Sequence, residues 1–366
     1  MPTLFDKIYG AEAAATIANS MGDVTEGLHY REIEERYGYV TELLAQEKPD
    51  RVRASDWGEV MIYHAHTRPP GMTEDGMERH RLAVSAIIDK GGRITVEDLA
   101  RTWLRDIDPE KFGYLLGPQD QIIYNSLKAG IPPWETGRYA IWPALIGTGK
   151  MMIAIGLVNA CNPRQAALDA LDVGRIKDMR GVPGNYALEV CAGIAAATAE
   201  ALKPDATVGG IIDVALSQLT SVPRAEVELG LSWARNATDW KELRVKYDEK
   251  YDGHRISNAV EMLSAGLATF LLSDGDPEQA IIMNVNLGRD TDCKAYIAGG
   301  LSGALRGIEA VPQRWVDVVE AELPNDPYTV SRRTPRESAE GIYQAVLNNL
   351  ASIKEQAALI EQQLPV

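Results

Sequence analysis

The chain is poor in cysteine, with three in 366 residues. Cys161, Cys191 and Cys293 are odd in number and far apart, which excludes a disulfide framework, and no Cys-x-x-Cys or Cys/His cluster announces zinc. That usage fits a reducing, cytoplasmic compartment. Basic tracts are missing as well; Arg79-His80-Arg81 and Arg332-Arg333 come nearest. Lys plus Arg number 37 against 52 Asp plus Glu, a formal net charge of −15, which argues against nucleic acid as the main partner. A nucleotide stays compatible where metal ions or helix N-termini neutralise its phosphates. Long apolar runs are absent: the longest, Met151 to Cys161, is broken by Gly156 and Asn159 and is too short for a bilayer, so no membrane partner is expected. The opening Met1-Pro2-Thr3-Leu4-Phe5-Asp6 has no basic stretch followed by an apolar one, so no secretory leader is expected. Pro/Gly/Ser linkers, low-complexity tracts and fixed-period repeats do not occur, which leaves one domain over residues 1–366 as the simplest organisation.

What the chain does have is an apolar share of 45 %, too high for disorder, spaced at helical period almost throughout. Helices are predicted over Ala11–Ser20, Tyr30–Glu47, Asp75–Lys90, Thr95–Arg105, Ala140–Asn159, Pro163–Leu171, Tyr186–Leu202 and Val208–Gln218. Further helices fit Ala225–Ala237, Asn258–Leu272, Pro277–Val285, Lys294–Gly307, Pro312–Ala321 and Pro335–Gln363. No alternating strand pattern between turn signals is visible. Loops are expected at Lys48–Asp56, Gly130–Gly137, Met179–Gly184, Tyr251–His254 and Leu323–Pro335. Ala/Gly-rich faces around Ala192–Ala197 and Ala298–Ala304 let helix axes approach closely. The expected fold is an all-α, compact multi-helix bundle.

Three segments gather acids beside hydroxyls or glycines at predicted helix ends: Met21–Gly27, Gly71–Gly76 and Asn284–Cys293. Asp or Thr at a helix start is an ordinary N-cap, and acids in a first turn suit the macrodipole; Asp75 followed by Glu78 has capping-box spacing. The same residues are also oxygen donors of the kind a hard divalent cation takes. Should the three segments meet, Glu26, Glu74, Asp75, Asp290 and Asp292 would converge, and five carboxylates that close need cations, most simply two, to stay ionised.

The three segments together resemble the ADP-ribosylglycohydrolase family, an all-α fold with two magnesium (or manganese) ions in a cleft. Its patterns run GDAxGxPxEG, TDDT and NxGGDTDT before an Ala/Gly-rich helix. Ala18–Gly27, Thr73-Glu74-Asp75-Gly76 and Asn286–Cys293 fall on them in order, over about residues 10–310, with 311–366 a C-terminal helical extension of the same domain. The resemblance implies metal ligation by Glu26, Thr73, Glu74, Asp75, Asp290 and Asp292, with catalytic roles for Glu26, Asp75 and Asp292. It implies Mg²⁺ as cofactor, two ions, with Mn²⁺ as the other option. The chain departs from the patterns at Ala18-Asn19 for Gly-Asp, at Glu74 for Asp, at Gly76 for Thr and at Cys293 for a ligating threonine, a thiol being a soft donor for Mg²⁺. Arg289 replaces a glycine.

For substrate contact the candidates are Asn286, Gly288, Arg289, Trp142 and His254, with Trp134 and Tyr139 beside Trp142; each is equally a surface or packing residue. His64 and His66 make an HxH pair without an evident third ligand. The implied activity is a metal-dependent glycosidase that cleaves a ribosyl C1–N or C1–O bond in a small-molecule or protein-linked ribosyl substrate, foremost ADP-ribosyl hydrolysis. A hydrolase of a small nucleoside or other N-glycoside, and a non-catalytic ADP-ribose binder, are the alternatives.

Overall fold

The computed structural model describes residues 1–54, 60–179, 182 and 184–364, with only the backbone given for 51–54, 60 and 61. The expected loops Lys48–Asp56 and Met179–Gly184 therefore lie partly outside the described residues. Helices follow one another as α1 (Leu4–Asp23), α2 (Tyr30–Tyr37), α3 (Asp75–Lys90), α4 (Val96–Asp106), α5 (Pro118–Lys128), α6 (Met152–Val158), α7 (Pro163–Val173) and α8 (Ala187–Ala201). They continue as α9 (Val208–Ser217), α10 (Ser221–Asn236), α11 (Lys241–Tyr251), α12 (Ala259–Leu272), α13 (Pro277–Val285), α14 (Thr291–Arg306), α15 (Gln313–Glu322) and α16 (Pro335–Glu361). The bundle is all-α in class, as its helical spacing indicates.

Its axis is the antiparallel pair α1–α14. Gly10 lies against Gly303, Gly299 against Ala14, and Gly22 against Asp292. A Cβ on Gly10 would stand 2.6 Å from the Gly303 carbonyl oxygen, so only glycine allows this spacing. Both helices are buried along nearly their whole length, α1 from Lys7 to Asp23 and α14 from Thr291 to Ala304. Helices α12 and α13 pack on α14, α16 crosses α1 and α3, and α8 joins α6, α7 and α9. One apolar core runs from Ile8 to Ala345. Beyond Asn349, α16 is exposed at every described residue.

Several expectations need correction. The helix predicted over Tyr30–Glu47 stops at Tyr37, where Gly38 takes φ +67°, and the chain goes on into strand. Four short strands, β1 (Gln46–Lys48), β2 (Arg51–Ala54), β3 (Val60–Tyr63) and β4 (His66–Arg68), form an antiparallel arm with β1 on β4 and β2 on β3. In place of the helix over Ala140–Asn159, Ala144 takes φ +66° and a 3₁₀ segment over Ile146–Met151 precedes the short α6. Two helices, α5 and α11, had no sequence expectation. The Asp75/Glu78 capping box does not form; Glu74 caps α3, and buried Glu78 pairs with Arg81 and Thr329.

Candidate active site

The C-terminal end of α1 and the N-terminal ends of α3 and α14 meet at one point. Gly22 permits it: a Cβ there would stand 2.6 Å from the Asp292 amide nitrogen. The turn after α1 is tied to the loop before α14, because Gly27 N–H donates to the Arg289 carbonyl and Arg289 N–H to that of Leu28, each at 2.8 Å. Thr291 Oγ1 donates to the Gly22 carbonyl (2.8 Å), and Thr25 Oγ1 to that of Val285 (2.7 Å). Asn19, one turn inside α1, bonds both the amide and the carboxylate of Glu74. These ties carry Glu26, Glu74, Asp75, Asp290, Asp292 and Cys293 into one cavity of about 280 Å³.

Capping accounts for only part of these acids. Asp290 Oδ1 caps α14 by accepting from Cys293 N–H at 3.2 Å, whereas its Oδ2 has no partner among the described residues. Asp292 Oδ1 and Thr73 Oγ1 are also buried without a partner among the described residues. Unpaired buried carboxylate oxygens are costly, and a cation held between them would offset that cost. Asp290, Asp292 and Cys293 bring donor atoms within 4.8 Å of one another. Burial raises Glu26 well above the ordinary carboxylate range, and the nearby Asp292, Asp290 and Glu74 raise it further. Asp292 is pushed up to about 7 by burial and by Asp290, despite a lysine beside it. Asp75 rises to about 6, through desolvation that the Arg79 guanidinium only partly offsets.

That lysine, Lys150, has no counterpart among the residues the sequence pointed to. Its ammonium is 2.7 Å from Asp292 Oδ2 and 3.4 Å from Glu74 Oε1, and over the Tyr296 ring. Burial pulls its pKa down, but Asp292, Cys293 and Glu74 outweigh that and hold it well above the ordinary lysine value. The lining of the same cavity is also rich in donors. Arg79 is fixed in a bidentate grip on Asp120 (2.7 Å twice) and also reaches Asp75 (2.9 Å). Lys177, 3 % exposed, makes no ion pair among the described residues. Gln119 Nε2 and Trp142 Nε1 are buried there without partners among the described residues.

The ADP-ribosylglycohydrolase family's sequence profile matches residues 1–350. The chain belongs to the ADP-ribosylglycohydrolase family. The match extends past the stretch covered by the three motifs at both ends. A solved ADP-ribosylglycohydrolase-related protein complex superposes with a TM-score of 0.62 over 94 % of this chain and 98 % of that one, at 19 % identity, a likeness of fold. No curated protein matches. No helix among the described residues is long and apolar enough to cross a membrane.

Within this glycohydrolase fold the candidate residues separate. Trp142 lines the cavity, with Arg255 over its indole at 5.6 Å. Thr73 is fully buried at the mouth of α3. Asn286, Gly288, Arg289 and His254 do not line the cavity. The Asn286 amide clamps the Val40 N–H and carbonyl, both at 2.9 Å. Gly288 takes φ +84° against Tyr30, and Arg289, itself at φ +62°, spends its guanidinium on Glu261 and the carbonyls of His254 and Arg255. His254 stacks edge-on against Tyr251. Trp134 and Tyr139 are exposed. His64 and His66 pack around Tyr114 in an adjoining cavity of about 60 Å³ that shares Glu26, Glu74 and Asp75. Arg79, Gln119, Lys150 and Lys177 went unread in the sequence; each stands in a helix or turn with nothing local to separate it from a surface residue.

Proposed function

We propose that the chain is a metal-dependent glycosidase that cleaves a ribosyl C1–N or C1–O bond, with ADP-ribosyl hydrolysis foremost. The observation that carries this is the pair of buried oxygens, Asp290 Oδ2 and Asp292 Oδ1, that have no partner among the described residues, on side chains that line one cavity with Glu26. These two carboxylates, with the Cys293 sulfur alongside, fit a divalent ion such as Mg²⁺ or Mn²⁺. Such an ion supplies Lewis-acid polarisation of a sugar hydroxyl or a water molecule. Glu26, buried and crowded by acids and therefore a strong base for a carboxylate, accepts the proton of the water that attacks C1. Asp75, held by Arg79, faces the positive charge that develops on the ribosyl ring as the bond breaks. Arg79, Lys177, Gln119 and Trp142 offer donors to an anionic group beyond the ribose, which favours a phosphate-bearing substrate.

The compact volume favours, as a second reading, a small nucleoside or other N-glycoside. Thermal shift with Mn²⁺ or Mg²⁺ separates the two. Stabilisation by metal that deepens with ADP-ribose supports the first reading, and a response to ribose or nucleosides alone supports the second. Binding of ADP-ribose with no bond cleavage at saturating metal would make the chain a binder. No response to any metal would return the three acidic segments to helix caps.

A further inference from the structure

The donors around Glu74 and Asp292 are sorted by oxygen. Glu74 Oε1 accepts from the Asn19 side-chain amide, from Gly76 N–H at 2.9 Å and from the Lys150 ammonium at 3.4 Å. Asp292 Oδ2 accepts from Asn19 at 3.2 Å and from Lys150 at 2.7 Å. Neither atom keeps a lone pair for a cation. Asp292 Oδ1 and Asp290 Oδ2 have no hydrogen-bond donor among the described residues. We propose that the Lys150 ammonium permanently fills one of the two cation positions that five carboxylates call for, so the cleft takes one divalent ion, on Asp290 Oδ2 and Asp292 Oδ1.

The surroundings are built for that ammonium. Lys150 is 1 % exposed and leaves the 3₁₀ segment just before α6. Its stem passes over Gly76, where a Cβ would stand 2.7 Å from Lys150 Cε and 2.8 Å from Cδ, so a larger residue there has to displace the stem. Asn19 contributes an amide where a third acid would leave the ammonium outnumbered. The Lys150 carbonyl accepts from the Tyr296 hydroxyl, which also bonds His80 (2.9 Å), whose other ring nitrogen meets Glu12 (3.0 Å). The backbone that aims the lysine is thus anchored in the core. Gly76, Asn19 and Glu74, three separate oddities in the sequence, all touch this one side chain or its acceptors. A fixed ammonium gives half the charge of a divalent ion with no binding equilibrium, and it can donate hydrogen bonds but accept no ligand.

The inference rests on the cleft being a metal site, and its test separates the two. Calorimetric titration of the full chain with Mn²⁺ is expected to give one ion per chain, and the electron paramagnetic resonance spectrum of the loaded protein is expected to be that of isolated Mn²⁺. Lys150→Ala is expected to raise the stoichiometry to two and to produce an exchange-coupled spectrum. Two ions on the natural chain, or a folded Lys150→Ala variant that still takes one, overturns the inference. Should that variant fail to fold, the stoichiometry and spectrum of the natural chain decide alone. Two ions with ribosyl hydrolysis overturns only the role of Lys150; one ion with no hydrolysis of any ribosyl substrate overturns only the glycosidase reading. Absence of Mn²⁺ binding overturns both.

Discussion

At the scale of single residues, the acids behave as a group whose charges the fold cannot satisfy unaided. Asp75 and Asp292 reach about 6 and about 7, against about 4 for a free carboxyl. A carboxyl whose pKa rises on folding favours the fold while it is protonated, and that advantage is lost as pH climbs through the folded value. The chelated protein is therefore expected to melt lower at about pH 8 than at about pH 5.5, and stabilisation by Mn²⁺ to grow over that interval as the ion displaces protons. Equal metal stabilisation at both pH values would contradict this. Gly76→Ala places a methyl against the Lys150 stem; it is expected to cost about 1–3 kcal/mol in urea unfolding. Glu26, Glu74, Asp75, Asp290 and Asp292 were legible because each sits in a motif beside a glycine or hydroxyl. Lys150 was not, because its role comes from where the chain around α6 packs, and Ile146–Met151 carries no local sign of it.

At the scale of elements, strongly periodic helices such as α3 and α13 were readable to the residue, and α14 starts three residues earlier than expected because Asp290 caps it. The misreadings share a cause: tertiary contacts overrule local preference. The segment Leu145–Ile146 is taken from helix by pairing with Ser257–Asn258, Ile146 N–H donating to the Ser257 carbonyl at 2.8 Å. Helix α5 escaped notice because polar residues interrupt its apolar face, yet it brings Gln119 to the cavity wall and Asp120 to the Arg79 guanidinium. The α1–α14 contact leaves no room for a side chain. Gly10→Val is expected to cost upwards of about 3 kcal/mol or to prevent folding, read as lost soluble protein or a lowered unfolding midpoint. By contrast, removal of residues 352–366 is expected to change unfolding free energy by no more than about 0.5 kcal/mol, since that end of α16 is exposed at its described residues.

At the scale of the whole molecule, a −15 chain brings acids from three helix ends into one cavity whose lining also carries cationic and amide donors. That mixed lining is what the proposed substrate, with its hydroxyls and a negative group, would need. Motif order and spacing gave the family and the acidic half of the cleft; the donor half is assembled from α3, α5 and the turn ending at Lys177, which no single motif joins. The most direct measurement is release of ADP-ribose from an ADP-ribosylated peptide by the natural chain and by Asp292→Ala, each with Mn²⁺ and with chelator. Release that depends on Mn²⁺ and falls at least about 100-fold in Asp292→Ala is the expected result. Hydrolysis indifferent to chelator and to Asp292→Ala, or no cleavage of this or any other ribosyl bond under saturating metal, would contradict the account.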